Sequence, residues 1–265
     1  MKPSLVDVPV LILFFNRPQQ LSQVFEQVRK ARPSKLFLYQ DGPRGERDLP
    51  GIKACREVVD QIDWECEVHR KYQEKNYGCD PSEYISQKWA FSMVDKCIVL
   101  EDDDVPSVSF FTFCKEMLDR YEQDTRITMI AGFNNEEITP DVPYDYFFAS
   151  TFSIWGWASW KRVIDQWDEH YTFLEDTFNM QQLEQLMKER KFRKDFIYMC
   201  NRHKENKFIK GMRVYLTAKN LFTLTGYSGN DPSAVAINGL TPGVDTNSAY
   251  PSATQLSVGL NIRFK

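Results

Sequence analysis

The sequence has little that binds soft metals and nothing that crosses a membrane as a helix. Its 265 residues include three histidines and six cysteines, and the cysteines (Cys55, Cys66, Cys79, Cys97, Cys114, Cys200) form no C-x-x-C pair. That spacing indicates neither a zinc site nor a disulfide framework, and it fits reduced, mostly buried thiols in a cytoplasmic protein. No stretch approaches the roughly 18 to 20 apolar residues of a spanning helix. Val8 to Phe15 is apolar, but Asp7 precedes it and Asn16-Arg17-Pro18 follows, which reads as a buried strand rather than a leader. An excess of basic charge is missing too: the net charge is −4 and the isoelectric point near 5.6, which excludes nucleic-acid binding through a broad basic face.

With 42% hydrophobic and 14% aromatic residues, the chain can bury a real core. Strand-like and helix-like stretches alternate from the start: Val8–Phe15, Pro18–Ala31, Lys35–Asp41, Ile52–Ile62, Glu65–Tyr72, Pro81–Val94, Cys97–Leu100 and Phe110–Glu122. This order predicts an α/β fold, a mostly parallel Rossmann-like sheet flanked by helices. Gln181–Lys191 and Lys194–His203 read as further helices with solvated charged faces.

The apolar run Cys97-Ile98-Val99-Leu100 ends in Glu101-Asp102-Asp103-Asp104, and Val105-Pro106 then breaks the strand. Adjacent carboxylates repel one another, so this cluster predicts a divalent cation between the oxygens, magnesium or manganese by their hardness. A solvated acidic turn is the plain alternative. Two other strand ends carry suitable groups: Asn16-Arg17-Pro18, and Gln40-Asp41-Gly42-Pro43-Arg44. Arg17 has a fork of donors suited to phosphate, or to a surface ion pair, and Asp41 can accept from a base N–H or a ribose hydroxyl, or simply make a turn. Parallel sheets bind ligands at the carboxyl ends of their strands, so these groups together favour a nucleotide diphosphate. Trp155, Trp157, Trp160 and Trp167 are read either as the border of a sugar pocket or as a core cluster.

Composition changes near Gly211. All the tryptophans, cysteines and histidines precede it, and residues 212–265 contain no glutamate and are dominated by Ser, Thr, Asn, Gly and Pro. Gln255 to Phe264 alternates polar and apolar without a miss, the pattern of a strand with one wet face. Val214–Leu224 is a weaker candidate for its partner, and Gly226 to Pro251 reads as a long loop.

The segments Phe15-Asn16-Arg17-Pro18, Gln40-Asp41-Gly42, Asn76-Tyr77-Gly78-Cys79, Leu100-Glu101-Asp102-Asp103 and Ser153 to Trp160 resemble bacterial GT-A glycosyltransferases over residues 5–210, in a layout similar to the N-acetylglucosaminyltransferase I family. The resemblance implies that Arg17 and Asp41 hold the nucleotide, Glu101 and Asp102 position sugar and ribose, and Asp103 binds manganese or magnesium. It treats Asp104 as an ordinary variable neighbour. The implied partners are a nucleotide-sugar donor, UDP-linked, and a glycan or lipid-linked acceptor. A Trp-Asp segment carrying the catalytic base is expected near Gly211, and the chain departs there; Asp165, Asp168 and Glu169 are the nearest acids, with no spacing that selects one. The remaining residues, 212–265, resemble the C-terminus of starch-utilisation-type TonB-dependent outer-membrane receptors, although two strands close no barrel and Lys265 departs from the usual aromatic end.

The expected organisation is therefore a C-terminally truncated transferase domain, 1–211, joined to a receptor-like β tail, 212–265, through which alone a membrane could be met. The expected activity is metal-dependent glycosyl transfer, impaired by loss of the base. A non-catalytic chimera or receptor fragment is the second reading, and a metal-dependent phosphatase or nuclease the third.

Overall fold

The computed structural model describes residues 1–134, 145–149, 153–204, 212–219 and 255–262. The chain runs β1 (Val6–Phe14), α1 (Pro18–Ala31), β2 (Pro33–Gln40), α2 (Leu49–Val59), β3 (Glu67–Tyr72), α3 (Cys79–Phe91), β4 (Lys96–Glu101), α4 (Val108–Arg120), β5 (Ile130–Ala131), β6 (Trp157–Trp160), α5 (Lys161–Ile164), α6 (Thr177–Leu186), α7 (Arg190–Lys204), β7 (Met212–Lys219) and β8 (Gln255–Ile262). Elements β1 to α7 belong to one compact unit, and the β7 and β8 ladder to a second.

β1 is the centre of a six-stranded sheet ordered β3-β2-β1-β4-β6-β5. Val10 to Phe14 are all buried, the mark of a strand covered on both faces. It pairs in parallel with β2 on one side and β4 on the other, Leu13 facing Tyr39 and Glu101. Helix α1 starts with a proline in its first turn, where the missing N–H costs nothing, and buries Leu21, Val24, Phe25, Val28 and Ala31 at helical spacing. Each of the four larger side chains contributes about 1.5–3 kcal/mol by leaving water. The helix ends where Arg32 takes the left-handed conformation and its N–H closes on the Val28 carbonyl.

After β3 the chain crosses back over two strands and α3 delivers it to β4, on the far side of β1. The strand order therefore reverses between β1 and β4, and their carboxyl ends form the topological switch point where such sheets bind ligands. Beyond β4 the sheet is antiparallel: β6 pairs with β4, Ala158 opposite Ile98, and β5 pairs with β6.

The α/β sheet is the one expected, with corrections in its elements. Three helices begin two or three residues before the expected positions, at Leu49, Cys79 and Val108. The stretch expected as one helix over 181–191 is split. Asp176 caps α6 by accepting from the Asn179 N–H (2.8 Å), the helix stops at Leu186, and α7 starts at Arg190. Strand β6 lies inside the tryptophan segment, where it was not foreseen. Both tail strands form and share a two-stranded sheet; the expected loop from Gly226 to Pro251 lies outside the described residues.

Candidate functional site

The switch point is held together by one arginine. Arg17 follows β1, and its Nε and Nη2 donate to the two carboxylate oxygens of Asp102, which follows β4, while Nη1 donates to Asp103 Oδ2 (3.0 Å). Asp102 is 3% exposed and also accepts from the Phe15 N–H (3.4 Å). Burial pushes the Asp102 carboxyl up, and the Arg17 fork only partly offsets it. Burial alone would lower the Arg17 guanidinium, but the hydrogen bonds and charge of Asp102, then Asp103, more than compensate and raise it. One oxygen is left over. Asp103 Oδ1 is buried without any hydrogen-bond partner, a rare state for a carboxylate oxygen.

Asp104 is no bystander, contrary to its expected role. It is buried, and its Oδ2 accepts from the Glu101 N–H (3.0 Å) and from the Gly156 N–H (3.1 Å). It closes the acidic turn on itself and ties it to the start of β6, where Gly156 takes φ +70, a conformation that favours glycine. No local signal marks this role, because the partner lies 52 positions away.

Asp41, at the end of β2, is likewise buried and fully engaged. Its Oδ1 accepts from the Gly42 and Tyr77 N–H groups (both 2.9 Å), and its Oδ2 from Asn76 Nδ2 (2.7 Å) and the Gly78 N–H (3.0 Å). It moors the loop that leads into α3. Gly42 permits this mooring, since a Cβ there would lie 2.5 Å from the Lys75 backbone. Next to it Asp48 accepts from Asn16 Nδ2 (2.7 Å) and from Arg44 Nη2 (2.7 Å), and Arg44 lies over the Phe15 ring at 4.9 Å. The Arg44 guanidinium holds the Asp48 carboxyl down at about 2.

The moored loop brings the first turns of α3 to the end of β4. The ligating atoms of Cys79, Glu83 and Glu101 all lie within 4.8 Å of one another. Gln87, 3% exposed, donates from Nε2 to Glu83 Oε2 (2.9 Å), and its Oε1 has no partner. The sequence pointed to Glu101 but missed Cys79 and Glu83; their i, i+4 spacing just after Asn76-Tyr77-Gly78 was the available signal. Among the described residues one group of possible cation ligands, Cys79, Glu83 and Glu101, thus lies at the end of β4, and the unpartnered Asp103 Oδ1 follows two residues on.

The tryptophans divide. Trp157 and Trp160 are buried, Trp157 in a cluster with Leu11, Leu13, Phe37 and Val99, and Trp160 donating to the Leu118 carbonyl (3.1 Å). They belong to the core. Trp155 is 42% exposed and tilts against Phe133 at 5.0 Å, and Trp167 meets Tyr84 edge-on at 5.3 Å. Of the acids near them, Asp165 pairs with Lys161 (2.7 Å), and Asp168 accepts from the His170 and Thr172 N–H groups and from Thr172 Oγ1 (2.6 Å). Glu169 lies 3.7 Å from His170.

No family model matches the chain, and no curated protein matches it. Among solved structures it is similar to 4-diphosphocytidyl-2C-methyl-D-erythritol synthase from Anaerococcus prevotii, with 10% identity, 68% of this chain and 84% of that one covered, and a TM-score of 0.35. At that level the likeness says nothing about ligand or reaction. No helix among the described residues is long and apolar enough to cross a membrane.

Proposed function

We propose that the switch point binds the diphosphate of a nucleotide sugar together with a divalent cation, and that the chain is built for glycosyl transfer to an acceptor hydroxyl. The observation that carries this reading is the buried, unpartnered Asp103 Oδ1 beside the Arg17 guanidinium, at the place where a doubly wound sheet receives its ligand. A bare buried carboxylate oxygen is costly, and a hard cation is the partner that fits it best. Asp103 would hold the ion, manganese or magnesium. When bound, such an ion neutralises charge on a departing diphosphate.

The chain's own groups have distinct tasks. Arg17 supplies positive charge at the diphosphate while anchored by Asp102, so its guanidinium is fixed before the ligand arrives. Asp102, buried and doubly bonded, serves as that anchor rather than reaching for a ribose. Asp41 acts through the Asn76 to Gly78 loop that it moors, with Glu101 facing the sugar. Transfer also needs a base at the acceptor hydroxyl. Asp165 and Asp168 are committed to a lysine and to a turn, which supports weak transfer beside intact donor binding. In this reading residues 1–211 are the nucleotide-sugar domain and 212–265 a separate β tail, with a UDP-linked donor and a glycan or lipid-linked acceptor.

Calorimetric titration of the full chain with uridine diphosphate, with and without manganese, tests the reading. Manganese-dependent binding that Asp103→Asn weakens by about tenfold or more, about 1.4 kcal/mol, is the expected result. Equal affinity in the variant, or binding indifferent to the metal, would overturn the assignment of Asp103.

A further inference from the structure

The loop between α5 and α6 walls an open cleft of about 730 Å³, lined by Trp167, Asp168, Tyr171, Phe173, Glu175 and Asp176, with Gln166 and Asn179 at its edge. Its size is that of a small-molecule site. Its chemistry is unlike that of the switch point. The lining holds three aromatic rings and three carboxylates, and no lysine, arginine or histidine. Three carboxylates with no cationic side chain in the lining disfavour a phosphate or nucleotide there.

We infer that this cleft binds an uncharged sugar unit of the acceptor, an inference that rests on the transferase reading above. Aromatic faces cover the C–H surfaces of a pyranose, while carboxylates and amides accept from or donate to its hydroxyls. The walls are set in advance. Trp167 is held edge-on by Tyr84 of α3, at an interplanar angle of 87°. Asp168 is fixed by the His170 and Thr172 N–H groups and the Thr172 hydroxyl, and Asp176 by capping α6. Ordered walls reduce the entropy lost on binding.

Position supports the same assignment. Tyr171 feels the charge of Asp80, in the first turn of α3, and Tyr84 lies one turn further on. That first turn also carries Cys79, and Glu83 follows it; both reach Glu101 at the end of β4. The opening turns of α3 thus stand between the cleft and the proposed donor crevice, both within one compact unit. The cleft and the proposed donor crevice thus share α3 as a common wall.

The test uses the full chain and neutral di- and trisaccharides of glucose, galactose and N-acetylglucosamine as probes, read by saturation-transfer NMR and calorimetry alongside the uridine diphosphate titration. At least one saccharide is expected to bind. Asn179→Trp, which fills the cleft from an exposed helix position, is expected to weaken it by about tenfold, with uridine diphosphate affinity unchanged. Trp167→Phe, which keeps an edge contact to Tyr84, serves as a second variant if the first misfolds, and is expected to weaken saccharide binding in the same way. Nucleotide binding without any saccharide binding, saccharide binding unaffected by the folded variants, or preference for an organic amine such as choline would each overturn the inference. Saccharide binding without nucleotide binding would instead overturn the transferase reading and leave the cleft's ligand standing.

Discussion

Arg17 and Asp102 are 85 residues apart in sequence and join the ends of the two strands that flank the switch point through a two-armed ion pair. The pair has unequal surroundings: the Asp102 side chain is 4% exposed and that of Arg17 38%. Removing the arginine leaves a buried carboxylate with only the Phe15 N–H, while removing the acid leaves a guanidinium that still reaches water.

Arg17→Ala is therefore expected to destabilise the fold by about 2 kcal/mol, less than the roughly 3–5 of a fully buried pair because Arg17 is partly hydrated. Urea unfolding measures it. The double variant Arg17→Met with Asp102→Leu should recover most of the loss, since a packed apolar pair needs no desolvation. If the double variant is as unstable as the sum of the singles, the two residues do not act as a pair.

Asp41→Ala should release the loop ahead of α3. The carboxylate accepts four hydrogen bonds from Gly42, Asn76, Tyr77 and Gly78, and water can replace only some of them in a buried position. A loss of about 3 kcal/mol is expected, with faster amide exchange at Tyr77 and Gly78. Unaltered protection at those two amides would show that the loop is held by something else.

The Asp48 carboxyl, lowered to about 2 by hydrogen bonding to Arg44, sets an acid limit. A depressed folded value means that its contribution is complete above the unfolded carboxyl value of about 4 and is lost as the pH falls toward 2. Stability followed from about pH 5 to pH 2 should fall less steeply in Asp48→Asn than in the parent chain. Parallel curves would place the acid sensitivity in other carboxylates.

Much of the sheet was legible because its signals are local. Pro18 opens α1 and Ala31 closes it where the periodicity ends, and the unbroken apolar run of β1 already identifies a strand buried on both faces. The rule that such sheets bind at their carboxyl ends singled out Arg17 and Asp102, which the structure joins in one ion pair, and Asp41, which it puts at the end of the neighbouring strand β2. What each carboxylate does was not. Asp41 and Asp102 look like ligand-binding groups in sequence but spend their oxygens on the Asn76 to Gly78 loop and on Arg17, and Asp104 works through Gly156. These partnerships depend on which distant backbone arrives nearby. Strand β6 escaped notice for a related reason: Trp157, Ala158, Ser159 and Trp160 are all buried, so the four residues show no alternation to mark a strand.

The reversal of strand order between β1 and β4 also governs when the site can come into being. Arg17 leaves the ribosome with β1, yet its carboxylate partners arrive only with β4, after two other strands and three helices have been made. Until β4 docks beside β1, the guanidinium lacks Asp102 and Asp103, and the crevice at the strand ends has only one wall. Closing so long a loop is slow compared with forming the helices within it. A nascent or truncated chain that stops before Lys96 would have three of the four parallel strands and Arg17, but neither of its carboxylate partners.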